Sequence, residues 1–297
     1  MSVFTALCHG EPEPFDPGIY TDMNRSAYDR IPALSCSVLK KWLSLGEIPS
    51  KFEYWMKTRW EAPPTEAFLI GSALDCRLLD RDYSSRYAVA PKVDRRTNAG
   101  KAQWAAFEAA NAGKTILTLE QGELVQQMAY SLLRSESLDG VFENCTKASV
   151  CTELFGYPVK SEFDLFNPNS THLLDLKTCR DVSRKWFANA FLDYGYAEQA
   201  TFYLTAAQAA GLEKKIFDFI GVEKEPPWAV KVYSFNPYEN VKHSIMFEAC
   251  RIRLARAAGG LVTRLERNDW RDDQDWEEVE ISEWALSQAK LETLQAA

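Results

Sequence analysis

Three short apolar segments near the middle of the chain constrain its fold more than any other feature. They span residues 148–155, 159–166 and 171–178, and are separated by Gly156-Tyr-Pro158 and Asn167-Pro-Asn-Ser170. Both separators are rich in residues that favour turns, so the three segments predict an antiparallel meander of three strands.

The remaining patterns extend this meander into a larger sheet covered by helices. Further strands are predicted at about 216–222 and 228–235, and helices at about 35–46, 65–80, 101–111, 119–134, 183–192, 196–210 and 236–266. Helices before and after a group of strands indicate an α/β fold with a central mixed sheet. We expect an extended, proline-rich N-terminal segment at 1–34, one domain at 35–268 with its core at about 63–235, and an acidic segment with a short helix at 269–297.

Charge and cysteine usage narrow the classes of function. The formal net charge is -8, but nine acidic and two basic residues between Asp269 and Glu292 contribute -7, so the other residues sum to -8 - (-7) = -1. A near-neutral body can carry a basic groove, so the overall charge does not exclude a nucleic-acid partner. No segment approaches the roughly 20 apolar residues of a membrane helix. Seven scattered cysteines indicate reduced thiols and a cytoplasmic protein.

The second hairpin of the meander brings polar side chains to one face of the sheet. If Asn167–Ser170 is a four-residue turn, Asp164 lies opposite Leu173, and Asp164, Asp175 and Lys177 point the same way. Asp175 and Lys177 are then about 6.6 Å apart along the strand. Phe163 and Leu165 are expected together on the opposite, largely apolar face.

Two carboxylates beside an ammonium group suit phosphodiester hydrolysis. Magnesium prefers carboxylate oxygens, polarises the bonds of a phosphate and lowers the pKa of an attacking water. A lysine can orient that water or neutralise developing negative charge. A solvated Asp–Lys ion pair on the surface of a sheet explains the same spacing, and the spacing alone does not decide between the two.

The ordered series of motifs resembles the PD-(D/E)xK nuclease superfamily. Phe163-Asp164 followed by Asp175-Leu-Lys177 matches its signature with phenylalanine in place of proline. The motif Gln199-x-x-x-Tyr203 on the next helix resembles the RecB-like and RecE-type (exonuclease VIII-like) branch. Similar phage exonucleases also carry counterparts of Ser35-x-Ser37-x-x-Lys40, Gly71-Ser-x-x-Asp75 and Asp94-Arg-Arg-Thr-x-Ala-Gly-Lys101.

The resemblance implies a role for each matching residue. Asp164 and Asp175 are the expected ligands of Mg²⁺ or Mn²⁺, and Lys177 is the expected catalytic lysine. Gln199 and Tyr203 are expected to brace the site or contact the substrate, although ordinary helix packing explains them as well. Asp75 stands where the family usually has a histidine that faces the metal, and it is either a substitute ligand or a packing residue.

Other residues complete the expected site. Glu153 is a further metal-ligand candidate if a two-residue turn sets it opposite Lys160, and an exposed cross-strand Glu–Lys pair is the alternative. Basic residues expected to contact DNA, each of which can equally be a solvated charge, are Lys92, Arg95, Arg96, Lys101, Arg180, Arg184 and Lys185.

The resemblance also implies an activity. The implied activity is that of a magnesium-dependent exonuclease, which digests double-stranded DNA from an end with 5′-to-3′ polarity and produces single strands for recombination or annealing. A ring-shaped homo-oligomer and a single-strand annealing protein are the implied partners. The alternatives are a structure-selective or single-strand nuclease, and a non-catalytic DNA-binding or inhibitory protein.

Overall fold

A computed structural model describes residues 2–79 and 83–272 of the chain. Its strands are β1 (Gly18–Tyr20), β2 (Leu34–Ser35), β3 (Tyr87–Val89), β4 (Thr115–Leu117), β5 (Thr146–Leu154), β6 (Tyr157–Phe166), β7 (His172–Cys179), β8 (Ile216–Glu223) and β9 (Val230–Phe235). Its helices are α1 (Arg25–Arg30), α2 (Cys36–Ser44), α3 (Pro49–Thr58), α4 (Glu66–Leu79), α5 (Tyr83–Arg86), α6 (Asn98–Ala110), α7 (Leu119–Leu133), α8 (Val141–Asn144), α9 (Arg184–Asp193), α10 (Tyr196–Ala209) and α11 (Val241–Arg267). Short 3-10 helices span Val3–Leu7 and Glu136–Leu138.

A mixed sheet forms the centre of the fold. Its strand order is β1-β5-β6-β7-β8-β9, and β2 pairs with β6 outside this path. The β5, β6 and β7 strands pair antiparallel, β7 and β8 are parallel, and β9 returns antiparallel to β8. The predicted meander and the α/β class with a central mixed sheet are therefore confirmed.

Helices cover both faces of this sheet. On one face, Ala200 and Leu204 of α10 pack against Phe163, Leu173 and the phenylalanines of β8. On the other face, residues of α4 and α7 pack against Leu165 and Leu176. Strands β6 and β7 thus lie between two apolar layers, so a polar group on either strand is withdrawn from water.

Two predicted helix starts have the expected capping chemistry. Thr118 and Gln121 form a reciprocal capping box at the start of α7, which satisfies backbone N–H groups that the first turn cannot pair internally. The Ser35 side chain accepts a hydrogen bond from Val38 N at the start of α2. Because Ser35 also pairs with β6, this cap fixes α2 directly against the central sheet.

The N-terminal segment differs from the expected extended chain. Residues 2–34 contain a 3-10 helix, α1 and two strands, of which β1 joins β5 and β2 joins β6. The buried ammonium of Lys160 on β6 donates hydrogen bonds to the carbonyls of Tyr28 and Ile31. Pairing with a sheet edge satisfies backbone groups that the proline content alone suggested were solvated.

The structure describes only the first residues of the acidic C-terminal segment, as far as Asp272. Asp272 accepts hydrogen bonds from the backbone and hydroxyl of Ser50 in the first turn of α3. The predicted short helix beyond it lies outside the described residues, and the division into 1–34, 35–268 and 269–297 stays a proposal. In the part of the chain that the structure describes, no helix is both long and apolar enough to cross a membrane.

Candidate active site

The pairing of β6 with β7 places two aspartates face to face. Leu165 pairs with Leu174, so the same register continued by one residue sets Asp164 opposite Asp175. The sequence predicted Asp164 opposite Leu173, which is wrong by two residues. The turn is longer than four residues because the Asn167 side chain accepts from Asn169 N and the Ser170 hydroxyl accepts from His172 N.

A β-bulge in β6 redirects the side chain of Asp164. Ala148 of β5 pairs with Phe163, whereas Thr146 pairs with Phe166, so one more residue lies between the partners on β6 than on β5. Phe163 consequently packs on the α10 side and Leu165 on the α4 and α7 side. The expectation that both share one face is wrong, because a bulge interrupts the alternation of side chains.

The side chain of Asp164 accepts a backbone hydrogen bond from the neighbouring strand. Its Oδ2 accepts a hydrogen bond of 3.4 Å from the backbone N–H of Leu176 on β7. Burial raises the pKa of Asp164 well above its usual range, and the negative charges of Asp175 and Asp75 raise it further. The positive charges of Lys177 and Lys147 oppose that shift. Asp164 is therefore a half-buried acid next to other acids.

Asp175 is held by two different side chains. Its Oδ1 accepts a hydrogen bond of 2.6 Å from Nε2 of Gln199. Its Oδ2 lies 2.5 Å from Nζ of Lys177 in an ion pair, but this buried oxygen has no donor in hydrogen-bond geometry. Only 3% of Asp175 is exposed. The carboxylate thus keeps one buried oxygen whose lone pairs are incompletely satisfied.

The position of Gln199 follows from the start of α10. Gly195 precedes this helix with a φ of 62°, a left-handed conformation that glycine adopts without steric cost. The chain can therefore turn sharply from α9 into α10, which points the first two turns of α10 at β7. Glu198 in the same turn is buried and pairs with Arg253 of α11 at 2.5 Å.

Lys177 stands between the two aspartates and an aromatic ring. Burial lowers the pKa of its ammonium, but the charges of Asp175 and Asp164 outweigh burial and raise the pKa above its usual range. The Nζ atom also lies 5.3 Å from the centre of the Tyr196 ring. Lys177 is therefore a permanently charged group in this site.

Lys40 on α2 is a neighbour of this centre that the sequence patterns did not reveal. Its Nζ lies 5.8 Å from the centre of the Tyr196 ring. Burial lowers the pKa of Lys40, and the charges of Lys177 and Asp175 both act on it. Among the described residues it forms no hydrogen bond and no ion pair. Its place in the motif with Ser35 and Ser37 was the available signal, but periodicity does not reveal that α2 faces β7.

Tyr203 is close to the centre but mainly part of the core. Its ring packs against Phe163 and Phe217 at centroid distances of 5.3 and 5.9 Å. Burial raises the pKa of its phenol well above its usual range, with smaller contributions from the charges of Asp175 and Asp164. In the described part of the chain its hydroxyl forms no hydrogen bond, so packing explains its position.

Asp75 and Glu153 have different places. Asp75 on α4 is half-buried, and its charge acts on Asp164. Glu153 is exposed and pairs with Pro158, since the hairpin turn is Phe155-Gly156 rather than Gly156-Tyr157. Its partner Pro158 lies six residues along β6 from Asp164, a distance of roughly 20 Å. The expectation of Glu153 as a metal ligand beside Asp164 is therefore wrong.

The predicted DNA-binding residues form two exposed groups. One group follows the C-terminal end of β7: Arg180, Arg184 and Lys185. The other lies around the start of α6: Lys92, Arg95, Arg96 and Lys101. Neither group enters the buried centre, so each is available to an external ligand.

The donor set fits a hard divalent cation. Within residues 2–79 and 83–272, no group of three histidine, cysteine or acidic side chains converges closely enough to form a complete metal site. The half-buried Asp164 and the buried Asp175 are nevertheless adjacent, and Oδ2 of Asp175 lacks a hydrogen-bond donor. Magnesium keeps several waters and needs only one or two carboxylates from the protein, so this pair suffices.

Comparison with known proteins supplies an independent line of evidence. A family model described as a PDDEXK-like domain of unknown function (DUF3799) matches residues 35–253. A solved structure described as a "putative exonuclease" from Eubacterium rectale is similar, with a TM-score of 0.54 and 15% identity over 86% of this chain and 92% of that chain. At this identity the likeness shows the fold alone.

A second solved structure is only distantly similar. It is a phage-related exonuclease from Haemophilus somnus, with a TM-score of 0.30 and 11% identity over 59% of this chain and 90% of that chain. A likeness at that TM-score carries no argument. No curated protein sequence matches this chain.

Proposed function

The chain belongs to the PDDEXK-like family, and from this premise we propose that it is a Mg²⁺- or Mn²⁺-dependent nuclease that hydrolyses double-stranded DNA from an end. The observation that carries the proposal is the proximity of Asp164 to Asp175 and Lys177, on neighbouring strands between two apolar layers. Packing alone does not favour two adjacent acids withdrawn wholly or partly from water, because each charged carboxylate loses hydration. A site that binds a cation and a phosphate explains the arrangement.

Each residue of the centre has a defined task in this proposal. Asp164 and Asp175 hold the divalent cation, and Asp75 contributes a further negative charge from α4. The bound cation would polarise the scissile phosphate and lower the pKa of the attacking water. Lys177 orients that water or neutralises charge on the phosphate oxygens. Gln199 fixes the orientation of Asp175 through the hydrogen bond to Oδ1.

The exposed cations after β7 suit the leaving strand. Arg180, Arg184 and Lys185 lie within a few residues of the carboxyl end of β7, on the loop and first turn that follow Lys177. Arginine and lysine bind backbone phosphates regardless of base sequence. We therefore assign these three side chains to the DNA backbone next to the point of cleavage.

The finer parts of the proposal rest on the resemblance to RecE-type exonucleases. They are 5′-to-3′ polarity, a ring-shaped homo-oligomer, cooperation with a single-strand annealing protein in recombination, and a cytoplasmic location. None is required for the chemistry at Asp164 and Asp175. Each therefore has to be tested separately from cleavage itself.

A time course on end-labelled linear duplex with Mg²⁺ tests the proposal. The expected result is mononucleotide release from one labelled end, no cleavage of covalently closed plasmid, and complete inhibition by chelator. Cleavage of single strands or of branched duplexes alone would favour a structure-selective nuclease on the same centre. If linear duplex stays intact with both Mg²⁺ and Mn²⁺ while the protein binds it, the chain is a non-catalytic DNA-binding protein.

A further inference from the structure

The segment between β3 and β4 has a charge opposite to that of the whole chain. We call residues 90–114 the basic arm. It contains five basic residues and two acidic ones, a net of +3 against -8 for the chain: Lys92, Arg95, Arg96, Lys101, Lys114, Asp94 and Glu108. The basic arm is therefore a local concentration of positive charge on an acidic protein.

The helix of the basic arm does not serve the core. Strands β3 and β4 are parallel, and parallel strands require a crossover connection, which α6 supplies. In α6, whose residues are all described, Gly100 alone is buried. The Trp104 ring packs instead against Phe107 at 5.5 Å, and the Arg95 guanidinium lies 4.2 Å from its centre. The arm is thus stabilised by its own residues and stands outside the main apolar clusters.

The cations of the arm form no ion pairs in the described residues, although the charge of Lys92 acts on Glu120 of α7. The cations concerned are Lys92, Arg95, Arg96 and Lys101. The first turn of α6 contains no acidic residue and instead holds Lys101, where the helix dipole repels a cation. This placement costs stability unless an anion binds there, so the pattern favours an external anionic ligand.

The loop that carries two of these cations is rigidly attached to α6. The Asp94 carboxylate accepts a hydrogen bond of 3.0 Å from Arg96 N, and the Thr97 hydroxyl accepts one of 3.0 Å from Gly100 N. A Cβ atom on Gly100 would lie 2.0 Å from the Asp94 carbonyl oxygen, so only glycine permits this contact. A fixed loop loses little conformational entropy when it binds a ligand.

The base of the arm is close to the candidate active site. Tyr87, the first residue of β3, stacks on Tyr83 with a centroid distance of 5.3 Å. Burial raises the pKa of Tyr87, and the charge of Asp75 contributes to the same shift. Because Asp75 also acts on Asp164, the strand β3 that leads into the arm begins near a residue that borders the acidic centre.

We propose that the basic arm binds the phosphate backbone of duplex DNA next to the catalytic centre. The four unpaired cations neutralise phosphates, and the stacking of Arg95 on Trp104 holds one guanidinium in position. Such contacts set the position of the DNA and carry no base specificity. This inference rests on the proposed function, since it names the surface that holds the substrate of that site.

The triple variant R95Q/R96Q/K101Q tests the arm without touching the acidic centre. Binding of fluorescent linear duplex is measured by anisotropy in chelator, so that no cleavage occurs, over a range of salt concentrations. Each lost phosphate contact lowers the slope of log affinity against log salt by about 0.9. We expect a slope reduced by about 2 to 3 and an affinity at least about tenfold weaker than that of wild type.

A matched control and the contradicting outcomes keep the test specific. Lys57→Gln removes one charge outside the arm, at an exposed position of α3 where the ammonium pairs with Glu53, and it should bind like wild type. Unchanged affinity and salt slope in the triple variant would overturn the role of the arm. A lower cleavage rate at saturation with an unchanged slope would do so as well, since it indicates a structural defect. If wild-type protein neither binds nor cuts duplex DNA, the proposed function itself fails.

Discussion

The side-chain amide of Gln199 donates a hydrogen bond of 2.6 Å to Oδ1 of Asp175, and both residues are buried. This contact links the first turn of α10 to the middle of β7. It leaves Oδ2 as the oxygen that faces Lys177. The orientation of the carboxylate, and not only its presence, is therefore determined by a residue 24 positions later in the chain.

Gln199→Leu should weaken metal binding without unfolding the protein. The side chain is similar in volume, but Asp175 loses the donor that orients it. Partners of this kind typically change metal affinity by about 10- to 100-fold. We expect half-maximal cleavage to require about that much more Mg²⁺, measured by titrating Mg²⁺ in the end-label assay. Gln208→Leu, on the same helix but away from β7, should leave the Mg²⁺ requirement unchanged; equal effects of both variants would contradict the assignment.

Lys177→Ala should remove chemistry and leave metal binding intact. The ammonium contacts Asp175 and would face the reacting phosphate, whereas the oxygens proposed to bind the metal belong to Asp164 and Asp175. We expect cleavage under single-turnover conditions to fall by at least about 100-fold, while Mn²⁺ affinity measured by calorimetry stays within about threefold. Lys185→Ala, an exposed cation beyond β7, should reduce DNA affinity rather than the single-turnover rate. A Lys177 variant that cuts at the wild-type rate would refute the catalytic role.

Two glycine substitutions should change stability in opposite directions. Gly195 has a φ of 62°, and an added Cβ would lie 2.8 Å from Cε of Lys40. Gly195→Ala should therefore lower the free energy of unfolding by about 1 to 2 kcal/mol. Gly260 lies inside α11 with no atom near the position of an added Cβ, so Gly260→Ala should raise it by about 1 kcal/mol. Urea unfolding followed by circular dichroism measures both, and a stabilising Gly195→Ala would contradict the turn assigned before α10.

Lys160 should give the protein a stability that rises with pH. Burial lowers the pKa of this ammonium from 10.5 to about 8. Between pH 8 and 10.5 the folded chain releases the proton while the unfolded chain keeps it, so the unfolded state binds more protons and stability increases with pH. Below pH 8 both states are protonated and the penalty of burying the charge is fully present. The difference between wild type and Lys160→Met isolates this effect from other titrating groups.

Urea unfolding of both proteins at several pH values between 7 and 10.5 checks this expectation. The free energy of unfolding of wild type, minus that of Lys160→Met, should increase by up to about 3 kcal/mol as the pH rises across this range. For Lys57→Met, at an exposed position of α3, the free energy of unfolding should change with pH as it does in wild type. Parallel curves for Lys160→Met as well would show that Lys160 titrates normally in the folded state.

Local patterns predicted much of the fold. Alternating apolar residues and turn chemistry located β5, β6 and β7, and the capping box located the start of α7. These features depend on residues close in sequence, whose steric and hydrogen-bonding preferences are largely independent of the rest of the chain. The strands β1 and β2 were missed because they are only three and two residues long, and their stability comes from the sheet that they join.

The details of the candidate site depended on geometry that residue preferences do not encode. The longer turn after Phe166 shifted the register of β6 and β7 by two residues, an even number, whereas the bulge changed only the pairing of β5 with β6. Asp164 and Asp175 were therefore brought together although the predicted register was wrong. The prediction for Glu153 was wrong because the turn between β5 and β6 lies one residue earlier than expected. Lys40 was missed because only tertiary packing brings α2 to β7.

The central claim is that Asp164 and Asp175 together hold a divalent cation, and calorimetric titration with Mn²⁺ tests it most directly. Wild-type protein should bind Mn²⁺ with a measurable heat, and Mg²⁺ should compete for the same site. Asp164→Asn and Asp175→Asn should each remain folded by circular dichroism and lose this binding by at least about tenfold. If both variants bind Mn²⁺ as wild type does, the two carboxylates do not form a metal site and the account is wrong.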